Sequence, residues 1–140
     1  MEALDRREYS RAETELSGLL ADDSLSRRAR AFLLNKRGVA RIAMESRDLA
    51  RDDFAAALGE LPGYAPALTN LGNLLLDQGK LEAATAHYEE AIANDPQYAI
   101  AFLNLSVAYK RAGRFADAVR ALRTSQRLEA RRPTAVPRSL

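Results

Sequence analysis

The chain contains no cysteine, no tryptophan and a single histidine among its 140 residues. Without cysteine it forms no disulfide and performs no thiol chemistry, and the usual ligands of a structural zinc ion are missing. Aromatic residues make up only 6%, so the core has to be built mainly from alanine and leucine. A chain of this length suits one domain that buries about two-thirds of its unfolded-chain surface on folding.

The residues that could do chemistry are scattered. His87 has no second histidine or cysteine to complete a metal or catalytic site, and acidic pairs such as Asp52 and Asp53 are adjacent, which points them apart on a helix. Gly72 falls inside a predicted helix, where it cannot form a phosphate-binding loop. We therefore expect no catalytic residue, no metal and no cofactor, and predict that the chain is not an enzyme.

The chain has no long apolar run. The first ten residues are charged, so we expect neither a secretory signal nor a membrane span, and predict a cytoplasmic protein. Eighteen of the 21 basic residues are arginine, a bias that suggests a bacterial genome rich in GC.

A period of 34 residues runs through most of the sequence. Such a period is typical of stacked helix pairs, in which each repeat buries its apolar side against its neighbours. Glycine at 79 and 113 is suited to ending the first helix of a pair, and Pro62 and Pro96 stop the second. The gapless alignment superimposes Leu34/Leu68/Phe102, Gly38/Gly72/Ser106, Ala50/Ala84/Ala118, Phe54/Tyr88/Leu122 and Ala57/Ala91/Ser125.

The middle repeat resembles a tetratricopeptide repeat (TPR). It has the family's small, aromatic and turn residues in order: Leu71, Gly72, Gly79, Ala84, Tyr88, Ala91 and Pro96. The resemblance implies an all-α, right-handed α-solenoid of helix-turn-helix repeats, with about seven helices in this chain. The first repeat departs from the family because Arg37, Arg41 and Glu45 stand where apolar residues and a turn glycine are usual, so the position of its turn stays open.

The repeat boundaries give the predicted organisation. Residues 1–132 form the TPR domain, with a partial repeat at 1–30 and full repeats at 31–64, 65–98 and 99–132, and residues 133–140 form a disordered basic tail. Tyr9, Ala12, Leu16 and Leu19 repeat the spacing of Arg47, Ala50, Phe54 and Ala57 at an offset of 38 residues. The partial repeat thus has only its second helix. Either the sequence truncates a repeat, or this end, with Tyr9, Leu16 and Leu19, contacts something else.

Charge is distributed unevenly along the chain. The net charge is +2 overall but +7 over residues 99–140, where arginines lie on or just past the last predicted helix. Either these arginines form a solvated surface, or they bind an anionic partner, which is an acidic protein face, a lipid surface or nucleic acid. Nucleic acid is the least expected of these, because no aromatic residue for base stacking except Phe115 lies among the arginines.

The resemblance also implies a binding groove lined by the first helix of each repeat. In TPR proteins, fixed positions of these helices face the ligand, and asparagine there can pair with a peptide backbone. Carried onto this sequence, the positions are Phe32, Asn35, Lys36, Val39, Thr69, Asn70, Asn73, Leu103, Asn104, Val107, Lys110 and Arg111.

The predicted function is a protein-interaction module that binds a peptide or protein partner in this groove, where Lys36, Lys110 and Arg111 favour acidic ligand residues. The alternative is a structural or self-assembling scaffold subunit, a homo-oligomer or part of a large complex, that binds through its end helices. A third hypothesis is a regulatory fragment of an enzyme whose catalytic part lies on another chain.

Overall fold

The computed structural model describes residues 3–132, with side chains from Asp5 onward; the predicted tail at 133–140 lies outside the described residues. Within them, all regular structure is α-helical and the predicted count of seven helices is confirmed. The helices are α1 (Ala3–Leu20), α2 (Arg27–Ala43), α3 (Arg47–Glu60), α4 (Ala65–Asp77), α5 (Leu81–Asn94), α6 (Ala99–Arg111) and α7 (Phe115–Arg131).

Each helix packs against the next one along the chain, and α2, α4 and α6 also contact one another in series. The described residues show no corresponding contact between α3, α5 and α7. A stack whose alternate helices approach more closely on one side curves toward that side. We call α2, α4 and α6 the A helices, and the surface that they share the groove face.

The same turn joins the two helices of every pair. Gly79 and Gly113 have φ of +76° and +79°, the left-handed conformation that glycine adopts without cost. Glu45 takes the equivalent place in the first pair with φ of +62°. The open question about this turn is thereby settled: it lies at the same position. In all three turns the amide after this residue donates to a carbonyl five positions earlier, at 2.8–2.9 Å.

Close contact within each pair depends on a small residue facing a large one. The Phe54 ring lies over Gly38 and the Tyr88 ring lies over Gly72, so a Cβ on either glycine would overlap ring atoms. Both rings are at most 1% exposed. In the last pair Ser106 stands at the glycine position and Leu122, a smaller side chain, at the aromatic one.

An ionic cluster holds α1, α2 and α3 together. Arg37 donates two hydrogen bonds to Asp53, at 2.8 and 3.0 Å, and a third to the hydroxyl of Ser17 on α1 at 3.1 Å. Arg41 bridges Asp53 at 3.0 Å and Glu13 on α1 at 2.8 Å. The Asp53 side chain is only 4% exposed. The arginines that depart from the family pattern therefore attach the unpaired first helix.

The loop before α2 is also fixed by polar contacts. The hydroxyl of Ser26 accepts from the amide of Ala29 at 3.1 Å, so this serine caps the start of the helix. Arg30 donates to the carbonyl oxygens of Leu20 and Asp22, at 3.0 and 2.7 Å.

Of the helices at 3–132, none is long and apolar enough to cross a bilayer.

Candidate protein-binding surfaces

The groove face exposes apolar side chains at its two ends. Phe32 and Val39 on α2 are 48% and 45% exposed, and Val107 on α6, two repeats on from Val39, is 37% exposed. Leu103 on α6 is 44% exposed. Side chains of this size are normally buried, so their grouping on the A helices marks a surface able to gain free energy by covering them.

The middle of the groove face is made of amides that bond to one another. The Nδ2 of Asn70 donates to Oδ1 of Asn35 at 2.9 Å, and the Nδ2 of Asn104 donates to Oδ1 of Asn73 at 2.9 Å. Asn73 also accepts from the hydroxyl of Tyr88 at 2.6 Å. Each pair links neighbouring A helices, so these asparagines help to hold the stack as well as lining its surface.

Tyr88 connects the groove face to the core. Its burial raises the pKa of the phenol to about 12, and the nearby charge of Asp77 acts in the same direction, while Arg111 opposes it. The hydroxyl is therefore a neutral donor near pH 7. Because this hydroxyl donates to Oδ1 of Asn73, the amide oxygen of Asn73 faces Tyr88 and its Nδ2 points away from the tyrosine.

Two of the predicted groove residues are not accessible. Asn35 and Thr69 are 7% and 1% exposed, because their position in the repeat faces the next A helix instead of the surface. Asn35 shows the reason directly, since its Oδ1 accepts from Asn70 on α4. Leu103 has the same position on α6, which no further described A helix follows, and it stays exposed.

The charges on the groove face are mainly basic. Lys36, Lys110 and Arg111 are exposed, and the Lys36 amine lies 5.4 Å from the centre of the Phe32 ring. Asp77, the acidic residue at the end of α4, forms an ion pair with Arg47 on α3 at 3.2 Å. This pair offsets its charge, although both side chains are more than half exposed and water screens the interaction.

The predicted end-face residues meet the groove residues in one apolar groove between α1 and α2. Tyr9 and Leu19 are 39% and 55% exposed, and Leu16 between them is half-buried. The groove, of about 440 Å³, is completed by Phe32, Lys36 and Val39. From the sequence, the end-face residues and the groove residues are predicted to lie on separate surfaces. The 38-residue offset that identifies α1 is the sequence signal that the two surfaces adjoin.

The histidine, aspartate and glutamate side chains of the described residues are dispersed. No three side chains among histidine, aspartate and glutamate are grouped there to hold a metal ion. The one histidine, His87, is half-buried on α5, with its Nδ1 3.0 Å from the carbonyl oxygen of Ala83 in its own helix.

Fold and surfaces together define a helical repeat protein. Residues 72–113 match the family model described as TPR repeat. The fold is similar to the crystal structure of MamA, at 23% identity and a TM-score of 0.67, over 84% of this chain and 67% of that one. It is also similar to the second TPR of Spaghetti (RPAP3) bound to the HSP90 peptide SRMEEVD, at 19% identity and a TM-score of 0.65, over 87% and 96%.

The first TPR of RPAP3, bound to the same peptide, is similar at 18% identity and a TM-score of 0.67, over 75% of this chain and 83% of that one. The predicted all-α solenoid is thus confirmed, and the predicted resemblance to the TPR family is borne out over residues 72–113. TPR repeats are protein-interaction modules, which agrees with the general role predicted from the sequence.

Proposed function

We propose that the chain is a non-enzymatic interaction module that binds an extended or helical segment of a partner protein along the groove face. The observation that carries the proposal is the arrangement of exposed side chains on the three A helices. Apolar residues stand at both ends, Phe32 and Val39 on α2 and Val107 on α6, and the amides of α4 lie between them.

The amides retain capacity for a ligand after pairing with each other. Asn70 and Asn104 each use one of two N–H donors, and neither side-chain oxygen is used in these bonds. Bidentate pairing with a peptide backbone therefore remains open to both. Because they lie on neighbouring helices, one ligand strand passing across the stack would meet them in turn.

Charge favours an acidic ligand. Lys36, Lys110 and Arg111 surround the amides, while Asp77 is paired with Arg47. The RPAP3 structures similar to this fold contain a peptide with two glutamates and one aspartate, a ligand of the same charge class. We therefore propose that the ligand segment of this chain is acidic as well.

The test compares matched exposed apolar residues. A partner is first captured from the native cell and purified, and its affinity is then measured for Val39→Ser, Val107→Ser and the control Leu49→Ser. Leu49 on α3 is 49% exposed, close to the 45% of Val39, but lies off the A helices. Each groove change should weaken binding by roughly three- to tenfold because apolar contact is lost. Equal affinities for all three variants would contradict the proposal.

Self-association through the α1–α2 groove is the second candidate function. It is favoured by the exposure of Leu19 and Tyr9 beside Phe32, which leaves an apolar groove at the end of the stack. Sedimentation over a range of concentrations decides it. A defined oligomer that Leu19→Glu dissociates and Leu49→Glu does not would support it, whereas a monomer at all concentrations would reject it.

Three finer predictions accompany this function. We propose the repeat boundaries 31–64, 65–98 and 99–132, a cytoplasmic location and a bacterial source. Fractionation of the native cell tests the location, and limited proteolysis, with cleavage expected between repeats before it occurs within them, tests the boundaries.

A further inference from the structure

The last helix exposes a row of apolar side chains at the end of the stack opposite α1. Phe115, Val119 and Leu122 on α7 are 63%, 46% and 38% exposed. Their spacing of four and three residues puts them on one side of the helix. Leu103 on α6 is 44% exposed. We call Leu103, Phe115, Val119, Leu122 and the adjacent Arg123 the α7 end face.

The repeat shows what covers this surface elsewhere in the molecule. One period earlier, Phe115 and Leu122 correspond to Leu81 and Tyr88 on α5, which pack in one core cluster with Leu105 and Ala108 of α6. Tyr88 is fully buried there. The element that covers the α5 surface is thus the following A helix, and the α7 end face has the form of a seat for another helix of that kind.

Leu103 gives independent support from the A helices. Its equivalents, Asn35 and Thr69, are 7% and 1% exposed, since an A helix follows each of them. Leu103 and Phe115 are therefore exposed for the same reason, which is that no described A helix follows them. A single helix lying beside α6 and across α7 would cover both.

The charge at Arg123 indicates what kind of helix would bind the α7 end face. Glu89 on α5 accepts from the hydroxyl of Tyr109 on α6 at 3.3 Å, a contact between a second helix and the A helix that follows it. One period later, Arg123 replaces this glutamate, which changes the position from an acceptor to a cationic donor. Within the described part of α7, the carboxylates pair with Arg114, Arg120 and Arg132, so Arg123 and Arg127 keep their charge for a partner.

We propose that the α7 end face binds an amphipathic α-helix of a partner protein that carries a carboxylate opposite Arg123. The apolar side of this helix covers Phe115, Val119 and Leu122 in the way that α6 covers α5. The site adjoins the groove face at Leu103 and otherwise lies on α7, and it does not depend on the function proposed for the groove face.

The eight residues at 133–140 are not the expected occupant. The proline at 137 would fall in the interior of a helix continued in the repeat register, where it removes a hydrogen bond and clashes with the preceding turn.

The test uses helical peptides derived from the element that covers the equivalent surface. Two labelled peptides have the sequence of α6, Ala99–Arg111, one with Tyr109→Glu and the other with Tyr109→Lys. Both peptides also carry Leu103→Lys and Val107→Glu. A lactam bridge joins these two side chains and keeps the peptide helical, and it lies on the side that α6 exposes. Fluorescence anisotropy measures their binding to the full chain and to the variants Arg123→Glu, Phe115→Gln, Arg7→Glu and Val39→Ser.

The wild-type chain should bind the Glu peptide about three- to tenfold more tightly than the Lys peptide, as expected when an exposed attraction becomes a repulsion. Arg123→Glu should reverse the preference, and Phe115→Gln should weaken both peptides. Arg7→Glu, the same charge change at the other end, and Val39→Ser, a change in the groove face, should have no effect. A chain ending at Arg132 should bind equally well.

Equal affinity for the two peptides, a preference that survives Arg123→Glu, or no binding of either peptide would overturn the proposal. So would binding that appears only when residues 133–140 are removed, because these residues would then be the occupant. Vesicles of phosphatidylserine and phosphatidylcholine provide the remaining comparison. Retention on them through Arg123, without displacement by the Glu peptide, would assign the surface to a membrane and reject a helix.

Discussion

The α2–α3 pair and the α4–α5 pair have the same turn and the same ring-over-glycine contact, but different chemistry beside that contact. Arg37, Arg41 and Asp53 in the first pair correspond to Leu71, Leu75 and His87 in the second. The backbone of the repeat therefore tolerates either an ionic or an apolar interface, provided that the buried groups are satisfied.

The two pairs differ because they pack against different neighbours. The leucines of the middle pair pack in apolar clusters: Leu71 against residues of α2, α3 and α4, and Leu75 against residues of α4, α5 and α6. The arginines of the first pair instead reach Ser17 and Glu13 on α1. A lone helix with few large apolar residues has little surface to bury, and directional ion pairs supply the attachment. The comparison teaches that a departure from the repeat pattern marks a change of neighbour rather than a weakened repeat.

The largest effect is expected from breaking the ionic cluster. Asp53→Ala leaves two arginines without their shared carboxylate and should lower the free energy of unfolding by about 3–5 kcal/mol. The equivalent change in the middle pair, His87→Ala, should cost about 1 kcal/mol or less because this residue makes one contact within its own helix. Urea unfolding followed by circular dichroism measures both.

Transplanting the middle pair's residues sharpens this test. Replacing buried charges by apolar groups is often neutral, so Arg37→Leu, Arg41→Leu and Asp53→His together should cost less than Asp53→Ala alone. The α1 helix should nevertheless exchange its amide hydrogens faster, since Glu13 loses its partner. A triple variant less stable than the single one would show that the cluster is required for the pair itself.

The glycine contact should behave alike in the two pairs. Gly38→Ala and Gly72→Ala each place a methyl group in the ring of Phe54 or Tyr88 and should cost about 1–3 kcal/mol. Gly59→Ala on α3, where nothing lies within 4 Å of the new Cβ, is the matched control and should stabilise by about 0.5–1 kcal/mol. Thermal unfolding gives the comparison.

The last pair suggests how to rescue the middle one. Ser106 and Leu122 show that a larger residue at the glycine position accompanies a smaller one at the ring position. Tyr88→Leu should therefore cost less in the Gly72→Ala background than in the wild type, a coupling that a double-mutant cycle detects. Additive costs would mean that the helices move apart and that the ring does not set their distance.

The sequence allowed most of the fold to be predicted because period and turn residues are local signals. Gly79 and Gly113 indicated their turns, and the offset of α1 indicated an unpaired helix. Glu45 could not be assigned in this way, since its residue type disfavours the conformation that tertiary packing imposes. The ionic cluster was also hidden, because its bonded members are 12 to 28 residues apart and lie on three helices.

The groove was predicted less well for a related reason. Position in the repeat indicated which residues of an A helix face inward, but not whether the neighbouring A helix reaches them first. Asn35 and Thr69 are covered in this way, and Asn70 and Asn104 bond to asparagines on adjacent helices. Substituting these two amides should therefore reduce stability as well as binding, contrary to the expectation for side chains that meet only a ligand.

The smallest expected effects concern the turn residue itself, where the two pairs differ most simply. Removing the left-handed strain at Glu45 should raise the free energy of unfolding by roughly 1–2 kcal/mol. The greater chain entropy of glycine in the unfolded state should offset about 0.5–1 kcal/mol of this gain. Glu45→Gly should thus stabilise the protein by about 0.5–1 kcal/mol. Gly79→Ala should destabilise it by about 1 kcal/mol through conformation alone, because nothing lies within 4 Å of the added Cβ. Opposite shifts of the urea midpoint at constant slope are the expected result. A loss of stability in Glu45→Gly would mean that the Glu45 side chain contributes more to this turn than its backbone strain costs, and that the shared turn geometry conceals a second difference between the pairs.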